Sequence, residues 1–301
     1  MVSRYPIYVI SKGRPGKGAL TAAFLLKDQC PFRLVVEPQE AVAYAGTVPP
    51  EALLVAPEDF SKRGQGSIPV RNFVWEHSVR GGYARHWILD DNIWNVQRRW
   101  KGKRIVCNAG PALSAVEDFV DRYENIAITG LNYTMFVPND QTKTVFCLNC
   151  HVYSCLLIRN DLPFRWRGRY NEDTDLCLQA LSFGLCTVLI NVFLIKKVET
   201  LRMKGGNMET LYQGDGRLKM ARSLERMWPG VVRVDRRYGR PQHVVDWKKF
   251  KMPLVLKPDA EQGRGEYGMR LEQVRKIRSD ALRRLVEDVL VVPGRGGQEP
   301  F

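Results

Sequence analysis

The stretch Trp87-Ile-Leu-Asp-Asp-Asn-Ile93 decides the fold reading. Its apolar residues drive a strand into a core, and the strand ends on Asp90, Asp91 and Asn92. Adjacent carboxylates at a strand end repel one another and lose solvation, so a cation should compensate them. Hard oxygen ligands at a sheet edge suit Mg2+ or Mn2+, and those ions suit a phosphate-bearing substrate. Asp and Asn are also ordinary turn residues. The neighbouring stretches therefore have to discriminate.

Upstream, residues 5–10 (Tyr-Pro-Ile-Tyr-Val-Ile) read as a buried strand running into the basic loop Ser11-Lys12-Gly13-Arg14-Pro15-Gly16. A helix over 18–28, strands at 32–37 and 52–56 and a helix over 69–80 lead to the acidic strand at 86–91. This alternation predicts an α/β chain with a mostly parallel sheet flanked by helices. Ligands of such sheets bind beyond the carboxyl ends of the strands, which places Ser11–Arg14 and Asp90–Asn92 on one edge. A basic, glycine-containing loop before a helix favours anions through its charge and free N–H groups. Neither a Walker motif nor the dinucleotide glycine fingerprint is present.

Downstream, a helix over 112–123 precedes a strand at 126–129, a polar loop to about 142 and a strand or hairpin over 144–158. The loop Arg165-Trp-Arg-Gly-Arg169 leads into Tyr170-Asn-Glu-Asp-Thr-Asp175 and a helix to about Phe183. Helix capping accounts for one or two of those carboxylates, but not for their place after an aromatic and arginine loop. Residues 176–195 carry no charge over twenty positions, and Gly184 divides them into a buried helix–strand unit rather than a membrane span. Lys204-Gly-Gly-Asn207 and Gln213–Arg217 form a glycine-dense basic segment suited to closing over a phosphate. A helix over 216–227 follows, then a polar linker over 257–268, an amphipathic helix over 270–290 and a loose end over 294–301.

The balance of 46 basic against 32 acidic residues gives +14, which attracts polyanions. Much of the excess is local: 196–251 holds fifteen Lys/Arg against six Asp/Glu, with Trp228, Tyr238 and Trp247 interleaved. The seven cysteines are an odd count in a basic chain, against a disulfide framework. Cys147-x-x-Cys150-His151 lies in an apolar run where Cys acts as a small hydrophobe rather than a metal ligand. With no leader-like N-terminus, the expectation is a cytoplasmic protein without a membrane partner.

Taken together, YVISKGRPG, ILDDNI, NEDTD and KGGN…YQGDGR resemble the TET-associated glycosyltransferases over roughly residues 5–250. These are GT-A-fold (Rossmann-like) nucleotide-diphospho-sugar transferases found largely in tailed bacteriophages. The resemblance implies a GT-A domain over 1–256, with a nucleotide-sugar half to about 110 and an acceptor half from about 111. A basic C-terminal extension, 257–301, follows it. It also implies sugar transfer from a UDP-type nucleotide sugar to 5-hydroxymethylcytosine, or a related hydroxymethylpyrimidine, in double-stranded phage DNA. A TET/JBP-type dioxygenase would be the functional partner, and a phage-encoded enzyme would work in the host cytoplasm. Asp90, Asp91 and Asn92 match the DxD-type motif that holds Mn2+ or Mg2+ on the donor diphosphate, with the main ligand open between Asp90 and Asp91. Ser11, Lys12, Arg14 and Glu37 match nucleotide contacts, and Lys204 and Asn207 the closing loop. Glu172 and Asp173 match the acidic pair that supplies the catalytic base. No His lies between 151 and 243, which leaves the C-terminal metal histidine of many GT-A enzymes without a counterpart.

The chemistry requires a neutralised leaving diphosphate and a base for a hydroxyl. An acceptor within a duplex also requires a basic surface with aromatic or arginine wedges. Arg165, Arg167, Arg169, Arg217, Arg236, Arg237 and Lys248 are the candidates for DNA contact. Three other readings use the same residues: a transferase acting on a protein or glycan, a non-catalytic DNA-binding protein, and a nucleotidyltransferase or nuclease.

Overall fold

The structure is a computed structural model that describes residues 2–138, 144–198, 216–237 and 239–260. In chain order, β1 (Ile7–Ile10), α1 (Leu20–Lys27), β2 (Arg33–Val36), the short α2 (Ala41–Tyr44), β3 (Leu53–Val55), α3 (Ile68–Arg80) and β4 (Arg85–Asp90) form the first half. A hairpin of β5 (Ile93–Trp100) and β6 (Lys103–Cys107) follows, then α4 (Ala109–Val120), β7 (Ile126–Tyr133), β8 (Phe146–Leu148) and β9 (Cys155–Arg159). The described chain continues with α5 (Glu172–Ser182), β10 (Cys186–Lys197), α6 (Gly216–Met227) and a second hairpin, β11 (Val232–Arg237) and β12 (Arg240–Val245).

Ten strands form one sheet in the order β3-β2-β1-β4-β9-β7-β10-β5-β6, with β8 pairing β10 off that path. The pairs β1–β2, β1–β4, β2–β3 and β7–β10 are parallel, whereas β9 runs against both β4 and β7. This mostly parallel sheet between helices is the Rossmann-like GT-A arrangement. The run 144–158 supplies β8 and β9 as partners of different strands rather than as a hairpin, because β8 joins β10 and β9 inserts between β4 and β7.

Alternate residues of the central strands enter two cores, as the pleat dictates. Ile7, Val9, Trp87 and Leu89 pack with Leu25 of α1 and Val116 and Phe119 of α4. Tyr8, Val35 and Ile88 pack with Val74 and Trp75 of α3 and Leu176 and Ala180 of α5. Burial on both faces explains why these strands read as continuous apolar runs. Gly130 of β7 allows β9 to approach closely: a Cβ there would lie 2.2 Å from the Cys155 carbonyl oxygen and 2.6 Å from Val152 Cγ1. Leu178, Leu224 and Val232 form a smaller core that docks α6 and the second hairpin onto α5.

The uncharged run 176–195 is the end of α5, a turn at Gly184 and β10. No helix among the described residues is long and apolar enough to cross a membrane. The segment holding Lys204 and Asn207, Tyr238, and the expected helix over 270–290 lie outside the described residues.

Candidate active site

Strand order reverses at β1, flanked by β2 and β4, and the carboxyl ends of these strands meet where parallel α/β sheets bind ligands. Ser11 follows β1, Glu37 follows β2, and Asp90 and Asp91 close β4. Lys197 ends β10 and Ser154 precedes the antiparallel β9, so both reach the same edge.

The two aspartates face different groups. Asp91 is 4% exposed. Its Oδ2 accepts from Ser11 Oγ at 2.7 Å and its Oδ1 from Arg14 at 2.5 Å. Tyr44 shares a 2.7 Å hydrogen bond with Ser11 Oγ and accepts from the Arg14 backbone N–H. Burial pushes the Asp91 carboxyl above its ordinary value, against the pull of Arg14 and Ser11. Asp91 thus ties the basic loop to the end of β4. Lys12 Nζ lies 3.1 Å from Glu37 Oε1, pairing two more of the expected nucleotide contacts.

Asp90 faces the open side of the edge. Its Oδ2 accepts from Lys197 Nζ at 2.5 Å and from Ser154 Oγ at 2.7 Å, and Arg71 stands 3.5 Å from its Oδ1. Burial works to raise its proton affinity, but Lys197 and Arg71 outweigh this and hold the carboxyl below its ordinary value. Lys197 Nζ also donates to Ser154 Oγ and Tyr133 Oη, so its three N–H bonds have acceptors. Burial opposes the Lys197 charge, yet Asp90 keeps its pKa above the ordinary value. Ser154 adopts φ 59°, a left-handed conformation uncommon for non-glycine residues, and aims its hydroxyl at both groups. Two residues after Asp90, Asn92 Oδ1 is buried without a hydrogen-bond partner. Among the described residues, no group of three His, Cys, Asp or Glu side chains is arranged to hold a metal.

Arg71 joins the two acidic motifs. Its guanidinium also stands 3.5 Å from Glu172 Oε1, so Asp90 Oδ1 and Glu172 Oε1 are at most 7.0 Å apart. The group stacks 4.7 Å from the ring centre of buried Trp166, and its Nε donates to Ser67 Oγ, which donates to Glu172. Glu172 and Asp173 open α5, but their environments differ. Burial and the Asp173 charge raise the Glu172 carboxyl, with Arg71 acting against them. Asp173 is held well below the ordinary range: burial would raise it, but His151 Nε2 lies 3.2 Å from its Oδ2 and wins. His151 stacks on Trp247 at 6.2 Å and 8°, and an aromatic row continues through Tyr153 and Tyr133 to the half-exposed Phe136.

The expected DNA contacts divide. Arg165 is engaged by Glu76 at 2.9 Å and by the carbonyls of Leu162 and Phe164. Arg167 is engaged by Asp175 at 3.1 Å and lies over Trp228. These two hold the loop in place. Arg169, Arg236, Arg237 and Lys248 are exposed, and Arg217 is half-buried at the start of α6.

Arg71, Lys197, His151 and Ser154 were missed as site residues by sequence reasoning. Lys197 carried a usable signal, a charge ending an apolar strand at the ligand-binding edge of the sheet. Arg71 carried none, because an arginine on a helix reads as a solvated position. His151 was weighed only with its neighbouring cysteines, and all seven cysteines of the chain are unpaired.

No curated protein matches the chain. The family model of the TET-associated glycosyltransferases matches residues 5–206, more than half of it, and spans the Asp90 and Glu172 clusters. The chain whose two acidic motifs meet at Arg71 thus belongs to the TET-associated glycosyltransferase family and is a glycosyltransferase.

Proposed function

We propose that this glycosyltransferase moves a sugar from a UDP-type nucleotide sugar to the hydroxyl of 5-hydroxymethylcytosine, or a related hydroxymethylpyrimidine, in double-stranded DNA. The family supports a transferase of modified bases, and the observation that carries the site assignment is Arg71 standing 3.5 Å from both Asp90 and Glu172. A donor seated at Asp90 then lies within reach of a base on α5.

In this reading Lys197 and Arg71 place positive charge beside the diphosphate as its bond to the anomeric carbon breaks. Glu172 is the base. Its Oε1 is held by Ser67 and Arg71, leaving Oε2 to take the acceptor's hydroxyl proton as the new C–O bond forms. A carboxylate with raised proton affinity suits that task near neutral pH. Asp173 fixes His151, and the aromatic row from His151 to Phe136 offers stacking for an extruded base. The donor set fits Mg2+ or Mn2+: Asp90 Oδ1 and the unpartnered Asn92 Oδ1 are hard oxygens, and such ions take the rest of their shell from phosphates and water. When bound, the ion would neutralise charge on the leaving diphosphate. The hydroxymethyl group itself would come from a TET/JBP-type dioxygenase.

The test is mass spectrometry of hydroxymethylated duplex DNA after incubation with a panel of nucleotide sugars and Mn2+ or Mg2+. A sugar-sized mass gain confined to hydroxymethylated bases is expected. Unchanged DNA with every donor, alongside glycosylation of a protein or glycan, would sink the reading.

A further inference from the structure

The β5–β6 hairpin leaves the active-site edge directly: β5 begins at Ile93, one residue beyond Asn92. It carries Arg98, Arg99, Lys101, Lys103 and Arg104, and no acidic residue occurs from 92 to 116. Among the described residues, no carboxylate lies at ion-pair distance from Arg98, Lys101, Lys103 or Arg104. Arg99 sits directly opposite Arg104 across the ladder.

The tip is built to hold its charge outward. Lys101 and Gly102 make a two-residue turn with φ 45° and 73°, the left-handed pair that favours Asn-Gly over lysine. Arg98 and Lys101 stand 4.9 and 5.5 Å from the Trp100 ring centre. β6 ends the sheet order, and its residues Lys103–Val106 are exposed, Val106 by 61%. Arg104 donates to the Thr134 carbonyl at 2.6 Å, which joins the hairpin to the turn bearing exposed Met135 and Phe136. A continuous surface therefore runs from the hairpin tip to the aromatic row beside Asp90.

We propose that the β5–β6 hairpin binds the phosphate backbone of duplex DNA, holding the acceptor while its target base enters the site. The proposal rests on the DNA-acceptor reading above. It fits the pairing of Arg165 with Glu76 and of Arg167 with Asp175, which leaves the hairpin with more uncompensated charge than that loop. A β-ribbon of regularly spaced cations follows a phosphate track, and Trp100 keeps the stems of Arg98 and Lys101 aligned.

The experiment uses the full chain and a labelled, unmodified 30-base-pair duplex without donor, read by fluorescence anisotropy over a salt series. K101A/K103A is expected to weaken binding about tenfold at low salt and to flatten the log–log salt dependence by about two, at roughly 0.9 for each phosphate no longer neutralised. Thermal melting of the same variant checks folding, and Lys103→Ala alone serves if the double variant melts early. Unchanged affinity and slope overturn the proposal. So does loss of binding to anionic phosphatidylserine vesicles with duplex binding intact. Because neither donor nor modified base is present, the result stands whether or not sugar transfer is found.

Discussion

Replacing Arg71 with Met removes a cation that, among the described residues, the donor-side and acceptor-side carboxylates share. At 3.5 Å, Coulomb's law gives about 5 kcal/mol at an effective dielectric of about 20 and about 1 kcal/mol in water. Glu172 is 23% exposed in its side chain, so screening brings the figure to about 1.4–2.8 kcal/mol, or one to two pKa units. The sign is fixed. Arg71 lowers the Glu172 proton affinity, so its loss raises a value that burial has already raised. A base must be deprotonated, so the acidic limb of kcat moves upward by one to two pH units. At the foot of that limb kcat drops about 10- to 100-fold, with only partial recovery at higher pH because the Arg71 charge beside the diphosphate is lost as well. A neutral Glu172 suits the fold below its ordinary value of 4.5, and that stability is lost as pH rises through the raised folded value. The variant should therefore show a larger Tm deficit at pH 8 than at pH 4.5. Arg71→Lys should move the limb less. An acidic limb that stays in place in Arg71→Met refutes the coupling between Arg71 and Glu172.

Glu172→Gln should lower kcat by about 10²–10⁴ with KM for DNA little changed; steady-state rates within threefold of the parent exclude Glu172 as the base. Asp173→Asn should destabilise the protein by about 1–3 kcal/mol at pH 7 through loss of the His151 pair. The Asp173 pKa is depressed from 3.8, so this difference should shrink as pH falls below that value, and denaturant melts showing it constant with pH contradict the assignment. Gly130→Ala forces a Cβ to 2.2 Å from the Cys155 carbonyl, so overpacking should cost at least about 1–3 kcal/mol and lower Tm by several degrees. An unchanged Tm would show that β7 and β9 separate easily.

The strand–loop–helix alternation to Asp90 was legible because the core strands are buried on both faces and the helices are amphipathic. The β5–β6 hairpin was not, since its charges cluster around the turn instead of alternating with apolar residues, and no compact turn signal stands at Lys101-Gly102. Both acidic clusters were also legible, being dense charges at element ends. Their meeting was not, because it depends on α3 bringing Arg71 against Trp166, more than ninety residues apart in sequence. Nor could sequence separate Asp90 from Asp91: Ser11 and Arg14 turn one carboxylate inward, and only the register of β1 against β4 reveals it. The distinction between Glu172 and Asp173 likewise arises from His151, on a segment 22 residues away.

Lys197 pairs with Asp90, and Arg71 stands 3.5 Å from both Asp90 and Glu172, so the two acids divide its charge. That division makes them reciprocally linked. An anion seated on the Asp90 side draws on the Arg71 charge and leaves Glu172 a stronger base. Protonation of Glu172 in turn frees Arg71 to hold the anion more tightly. The acceptor's base is thus at its strongest when a donor is in place, and it becomes a weaker one when the diphosphate departs. Order of events is written into the charge balance of the cluster.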